Sequence, residues 1–252
     1  MILRRLVCAR LLFLWITIGQ ASALADGCPQ NGDWINTDRP TQTNSSSVVP
    51  EGSVQAESGV NWSVGQGSTV LDGPEMRLRL GVARCLEVLF DVPNYSYSLN
   101  GPAGSGFSDS VLSIKYQVAA VPDPFQLSTT AGLGFPTGGK EVAGHGWNPY
   151  FQLPWQAALT QQWSVNGMFS LTWYTSHSSQ NPTFEPTIGL QRGFEGEKGT
   201  VMVEYAGIYD HRQPSQILDG GGQWRPTMGQ QVDFQAGFGL NRSSPEYFFG
   251  LG

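Results

Sequence analysis

The chain has 252 residues, of which 13% are charged, 12% are aromatic and 32 are glycine. A formal net charge of −6 and a pI near 5.0 argue against nucleic acid as a partner, which proteins grip through lysine and arginine. A mean hydropathy of −0.20 excludes a bundle of apolar helices, but fits any fold in which half of every element meets water.

Arg4, Arg5 and Arg10 precede or open an apolar run from Leu11 to Ile18, and Ala21-Ser22-Ala23-Leu24-Ala25 follows. A basic start, a short apolar core and small residues at a cleavage point predict a secretory signal peptide over residues 1–25. The run is too short for a spanning helix of about 20 residues. Cleavage after Ala23 or Ala25 removes Cys8 and leaves Cys28 and Cys85. A lipidated Cys28 would want a leucine three residues earlier, where Ala25 stands. Residues 26–51 are polar, rich in Ser, Thr and Asn, and without a period, which predicts an irregular segment.

From residue 52 the chain alternates apolar and polar side chains, the period of a strand with two unlike faces. Val54, Ala56, Val60, Trp62 and Val64 oppose Gln55, Glu57, Gly59 and Asn61. Met76, Leu78, Leu80 and Val82 oppose Glu75, Arg77, Arg79 and Gly81; Leu86, Val88, Phe90 and Val92 oppose Glu87, Leu89 and Asp91. Leu112, Ile114, Tyr116 and Val118 oppose Ser113, Lys115 and Gln117. Strands around 125–135, 151–159 and 165–174 follow, then shorter ones carrying Glu185, Glu204, and Asp219 with Arg225. The clearest is 231–240, where Val232, Phe234, Ala236, Phe238 and Leu240 oppose Gln231, Asp233 and Gln235, and Tyr247, Phe249 and Leu251 close the chain. The stop at Leu251-Gly252 is early for a full last strand.

Short turns are expected near Arg84, 121–123, 161–162, 195–197 and 226–228, and longer ones around 65–73, 93–108, 136–148, 175–182 and 210–215. Short and long connections at alternate ends are the rhythm of an outer-membrane barrel. The fold expected is therefore all-β: a closed, antiparallel, up-and-down transmembrane β-barrel of about twelve strands. Alternation alone also fits a soluble sandwich, with inside and outside exchanged. Trp62, Trp163, Trp173, Phe194, Tyr209 and Trp224 near strand ends suit a membrane girdle, and the Gly, Gln, Ser and Thr of the polar faces are unlike a Lys- and Glu-rich soluble surface. The rhythm puts both termini, Cys28 and Cys85 on one side, so a Cys28–Cys85 disulfide is a candidate in an exported protein.

Thr37-Asp38-Arg39-Pro40, Pro50-Glu51-Gly52 before Val54-Gln55-Ala56-Glu57-Ser58-Gly59, Pro74-Glu75 with Arg79-Leu80-Gly81, Leu133 to Gly138, Leu218 to Gly221, and Gly237 to Asn241 with Pro245 to Gly252 occur in this order. With them the mature chain resembles the outer-membrane barrels known as the MetA pathway of phenol degradation. The resemblance implies a barrel of roughly twelve strands in a Gram-negative outer membrane, moving a small solute of aromatic or hydrophobic type, with no phenol-processing activity implied.

Apolar faces turned to lipid leave Glu57, Glu75, Arg77, Arg79, Glu87, Asp91, Lys115, Glu185, Glu204, Asp219, Arg225 and Asp233 as candidates to line the lumen. Such a wall leans acidic and could filter ions, or its charges could pair across strands, since unpaired charge in a confined interior is costly. Glu57 with Arg79 is a plausible pair. Twelve strands lie between a barrel filled by side chains and an open porin. Residues 26–51 could obstruct the lumen through Asp38 and Arg39. Partners expected are membrane lipid, a small-molecule solute and the outer-membrane assembly machinery. No cofactor site or metal-ligand spacing is present. His145, His177 and His211 fall in expected loops with no matching serine on a strand, so an esterase or phospholipase is disfavoured and no enzyme is expected. A non-transporting structural or surface barrel is the remaining alternative.

Overall fold

The computed structural model describes residues 27–252 apart from 119–123, 144–145, 177–178, 195, 197 and 211–212. The leader assigned to 1–25 and the three histidines lie outside the described residues. One antiparallel sheet holds β1 (Val54–Gly65), β2 (Ser68–Ala83), β3 (Leu86–Val92), β4 (Tyr95–Asn100), β5 (Gly106–Phe107), β6 (Ser110–Gln117), β7 (Phe125–Phe135), β8 (Asn148–Ala158), β9 (Trp163–Ser176), β10 (Ser179–Phe194), β11 (Gly199–Ile208), β12 (Ser215–Thr227), β13 (Gln230–Gly239) and β14 (Tyr247–Leu251). β1 pairs with β2 on one side and with β14 on the other, which closes the sheet.

Both β3 and β4 pair with β2, end to end along its length, and β6 pairs with β3 as β5 does with β4. Each couple is one wall strand with a two-residue break, so the wall is a closed barrel of twelve strands with no helix among the described residues.

Alternation decides which solvent each face meets. On β13, Phe234 is 55% exposed while neighbouring Asp233 is 5% exposed. Val54, Leu80, Ile114, Phe169, Ile188, Val201 and Phe249 also lie exposed on the outside. A continuous apolar exterior of this kind has hydrocarbon as its fitting solvent. Trp62, Trp163, Phe194 and Trp224 stand exposed near strand ends, with the Arg192 guanidinium 5.5 Å from the Trp163 ring. Tyr209 differs: its hydroxyl bonds Tyr205 and Gln216 at a strand end. The inner face is polar, with few apolar exceptions such as Leu89, Met168, Met202 and Phe248.

Three expected loops are strand instead. The connection at 65–73 shrinks to Gln66 and Gly67, both at positive φ (55° and 72°), the backbone of a tight hairpin turn. Pro74 does not end β2, because it lies where β3 hands over to β4 and where the β1 register shifts between Gly59 and Asn61. A missing N–H costs little in such a gap. The 93–108 stretch forms β4 and β5, and most of 175–182 belongs to β9 and β10. β14 has five residues and pairs with Val60–Val64 of β1.

Replacing outward Ile114 by lysine puts a charge against lipid. We expect a loss of folding free energy of roughly 2–4 kcal/mol if the site lies near the bilayer midplane, read from denaturant titration of the barrel in lipid vesicles.

Candidate functional site

Residues 28–50 enter the barrel, cross its interior and return to the same rim before β1. That rim also carries the β2–β3 turn, where Cys85 is bonded to Cys28 with the Cα atoms 5.4 Å apart. An irregular segment inside a barrel has backbone amides with no ladder to join, and each needs an acceptor. The wall provides them. The Asp38 amide donates to both oxygens of Glu57 at 3.1 and 3.0 Å, and the Val49 amide to Glu87 at 2.7 Å. The Gln42 and Thr43 amides donate to Glu204 at 2.7 and 3.0 Å, and the Val48 amide to Gln117 at 3.1 Å. The Thr43 hydroxyl also meets Glu204 and Thr187.

Arg79 is the hub, 0% exposed. Its guanidinium donates to Glu87 at 2.9 Å, to Glu57 at 3.1 Å, and to the Asn36 and Ser47 carbonyls at 3.0 and 2.9 Å. It therefore joins β2 to β1, to β3 and to both arms of the inner segment. Asp38 sits between three cations: Arg77 at 2.9 Å, Lys115 at 3.1 Å and Arg79 at 3.6 Å. Burial pushes the Asp38 carboxyl up, but Arg79, Lys115 and Arg77 outweigh it and hold it well below the usual carboxylate range. Arg39 reaches Glu75 at 2.8 Å and Asp233 at 3.5 Å. A Cβ on Gly59 would overlap the Arg39 guanidinium, and one on Gly81 would overlap the Pro50 carbonyl, so both close approaches depend on glycine.

All twelve charged candidates are on the inner face, but not as one ring. Arg77 pairs with Asp91 at 2.5 Å, and Lys115 lies 3.5 Å from Glu87, so β2, β3 and β6 carry the paired cluster. Glu185, Glu204 and Asp219 stand across the lumen on β10, β11 and β12, while Asp233 on β13 shares Arg39 with Glu75. There Glu185 accepts from Tyr174 at 3.2 Å and Asp219 from Gln235 at 3.0 Å. Arg225 is buried toward the Lys198 turn, away from the other cations. Sequence reasoning did not single out the glutamines that hold the segment: Gln55 to the Asn36 carbonyl, Gln117 to the Gly27 carbonyl, Gln152 to Asn44 and Gln231 to Thr37. Their signal was inward position on an alternating strand.

Beyond Asp38 and Arg39, toward the opposite rim, a vestibule of about 760 Å³ opens. Thr41, Arg77, Asp91, Tyr150, Tyr174 and Glu185 are among its lining. The arrangement is a polar cup whose floor is the inner segment; no group of residues with metal-holding geometry occurs among the described residues.

Comparisons agree with this architecture. The family model described as "Putative MetA-pathway of phenol degradation" matches residues 37–252. Among solved structures, the COG4313 outer membrane channel from Pseudomonas putida F1 superposes with a TM-score of 0.62 at 15% identity, covering 84% of this chain and 97% of that one. The NanC porin gives 0.55 at 9% identity, covering 77% and 97%. At such identities the likeness is one of fold. No curated protein matches the chain.

Replacing Arg79 by alanine removes the guanidinium that Glu57, Glu87 and two carbonyls share in a buried site. The expected cost is about 3–5 kcal/mol, measured by urea unfolding of the refolded barrel. Because the folded Asp38 pKa is depressed, its contribution is complete above the ordinary value of 3.8 and is lost only as pH falls below it. The contribution of Asp38 to protecting the inner segment from protease should thus hold from neutral pH down to about 4, and Asp38→Asn should weaken that protection throughout this range.

Proposed function

The chain belongs to the MetA-pathway of phenol degradation family, and we propose that it is an outer-membrane channel narrowed by its own N-terminal segment. In this reading the leader exports it across the inner membrane of a Gram-negative bacterium, the assembly machinery inserts the barrel, and the rim bearing Cys28, Cys85 and Gly52 faces the periplasm. The vestibule then opens to the outside.

The observation that carries the reading is the crossing of the lumen by residues 28–50, fastened on one side to Glu57, Arg79, Glu87 and Lys115 and on the other to Glu204. A barrel whose interior is polar, with an open cup above a fixed constriction, suits passive diffusion of small solutes rather than a wide aqueous pore. The cup mixes Tyr150, Tyr174, Val111 and Val142 with carboxyl and amide groups. That lining favours a small solute with both a polar group and an apolar face, a class that takes in hydroxylated aromatic compounds. No step of bond chemistry is part of the reading.

Deleting residues 26–48 together with Cys85→Ser should raise single-channel conductance in planar bilayers several-fold over the intact protein. A correctly folded deletion variant that stays closed would favour a surface barrel without transport.

A further inference from the structure

The inner segment does not meet the wall evenly. On the side of β1, β2, β3 and β6 it is locked by ion pairs and charged hydrogen bonds, and Arg79, Glu87 and Lys115 are at most 1% exposed there. Against β7 to β12 its contacts are fewer and uncharged except at Glu204. Two small cavities remain on that side. One, of about 40 Å³, lies between Thr43 to Ser46 and the wall residues Asn166, Gln191 and Gln223. The other, of about 90 Å³, lies beside Gln42, Met168 and Ala206. Gln42 and Glu185 line both the larger of these and the vestibule, and Arg39 and Thr41 line both the smaller one and the vestibule. Each of the two cavities therefore adjoins the cup on the β8–β12 side.

The inward face of this wall has a consistent chemistry, and Gln156, Asn166, Gln191 and Gln223 of it line the smaller cavity while Met168, Thr187 and Ala206 line the larger. Strand register places Gln126, Gln156 and Asn166 in one row across β7, β8 and β9, and Thr130, Gln152 and Ser170 in another. Between the rows, Pro154, Met168, Thr187 and Ala206 form a band with little polarity across β8 to β11. Asn166 Oδ1, at the smaller cavity, is buried without a protein hydrogen-bond partner, as are Ser128 Oγ and Thr130 Oγ1 on β7. Buried hydroxyl and amide groups normally find partners. The only ionisable side chain of the smaller cavity is Arg39, already engaged by Glu75 and Asp233.

We propose that solutes pass between the inner segment and the β8–β12 wall, and that this route selects small uncharged molecules bearing hydroxyl groups. An ion entering the smaller cavity would lose water and find there only an arginine that is already paired. A neutral hydroxylated solute exchanges water for Gln156, Asn166, Gln191 and Gln223, and slides its C–H surface along Met168 and Ala206. The smaller cavity has room for about three waters, so the solute is of that order of size, and the cluster-side wall is no part of the route. The inference rests on the channel reading above and adds to it the path and the solute class.

The test uses full-length protein refolded in liposomes, with glycerol as the neutral probe and sodium and chloride as the ionic ones. Wild-type liposomes should swell readily in glycerol while conductance stays small. Gln191→Trp and Gln223→Trp should cut glycerol entry at least fivefold, and Val203→Trp on the outer face of β11 should not. As a milder variant, Gln223→Cys should react faster with a neutral thiol reagent than with a charged one, and glycerol should slow the reaction. Entry unaffected by either tryptophan in a folded barrel, or faster labelling by the charged reagent, would overturn the proposal. Glycerol entry only after deletion of residues 26–48 would overturn it too, while leaving the channel reading intact. No entry even then would sink both.

Discussion

The interior of this barrel depends on one buried guanidinium. Arg79 has lost all water, and its five donors are answered by two carboxylates and by two carbonyls of a segment with no secondary structure. Those carbonyls, Asn36 and Ser47, belong to the descending and returning arms of residues 28–50. A planar fork can hold four separate acceptors in place, which a lysine ammonium cannot match. The third cation of the cluster, Lys115, extends the same network to Asp38 and Glu87 rather than repeating it.

A second constraint comes from having solvent of opposite character on the two faces. Lipid outside forces the apolar face outward, so the polar face must find its partners within a narrow interior. Wall carboxylates that could have served as a filter are drawn instead to backbone amides, which act as fixed weak positive ends. Glu57, Glu87 and Glu204 each take amides of the inner segment, so the excess of acid over base on the wall is matched in part by groups that carry no formal charge. This is why an acidic lumen need not behave as an acidic pore.

Much of the wall was legible because period two leaves a trace in every strand. Asp233 and Phe234 could be assigned to opposite solvents from their parity alone, and the structure places them so. Strand ends were harder. Gly73-Pro74 reads as a breaker, yet both neighbours of Pro74 have their own interruption at that level, a coincidence between three strands that no single window contains. The path of residues 28–50 had no period to read. Its anchors are side chains such as Glu204, some 160 positions away in sequence, and amide acceptors look in sequence like any other inward carboxylate.

The bond between Cys28 and Cys85 fixes how that path can respond to force. With Cys28 held at the β2–β3 turn and Gly52 bonded to Gly81 at the foot of β1, both ends of the segment are fastened to neighbouring points of one rim. The segment is an arch, not a cork. A pull on the chain ahead of Cys28 would run through the sulfur bridge into the wall and leave the arch unloaded. In the channel reading, any opening comes from within the lumen, by the arch shifting sideways between its two fixed feet, and not by traction from the rim.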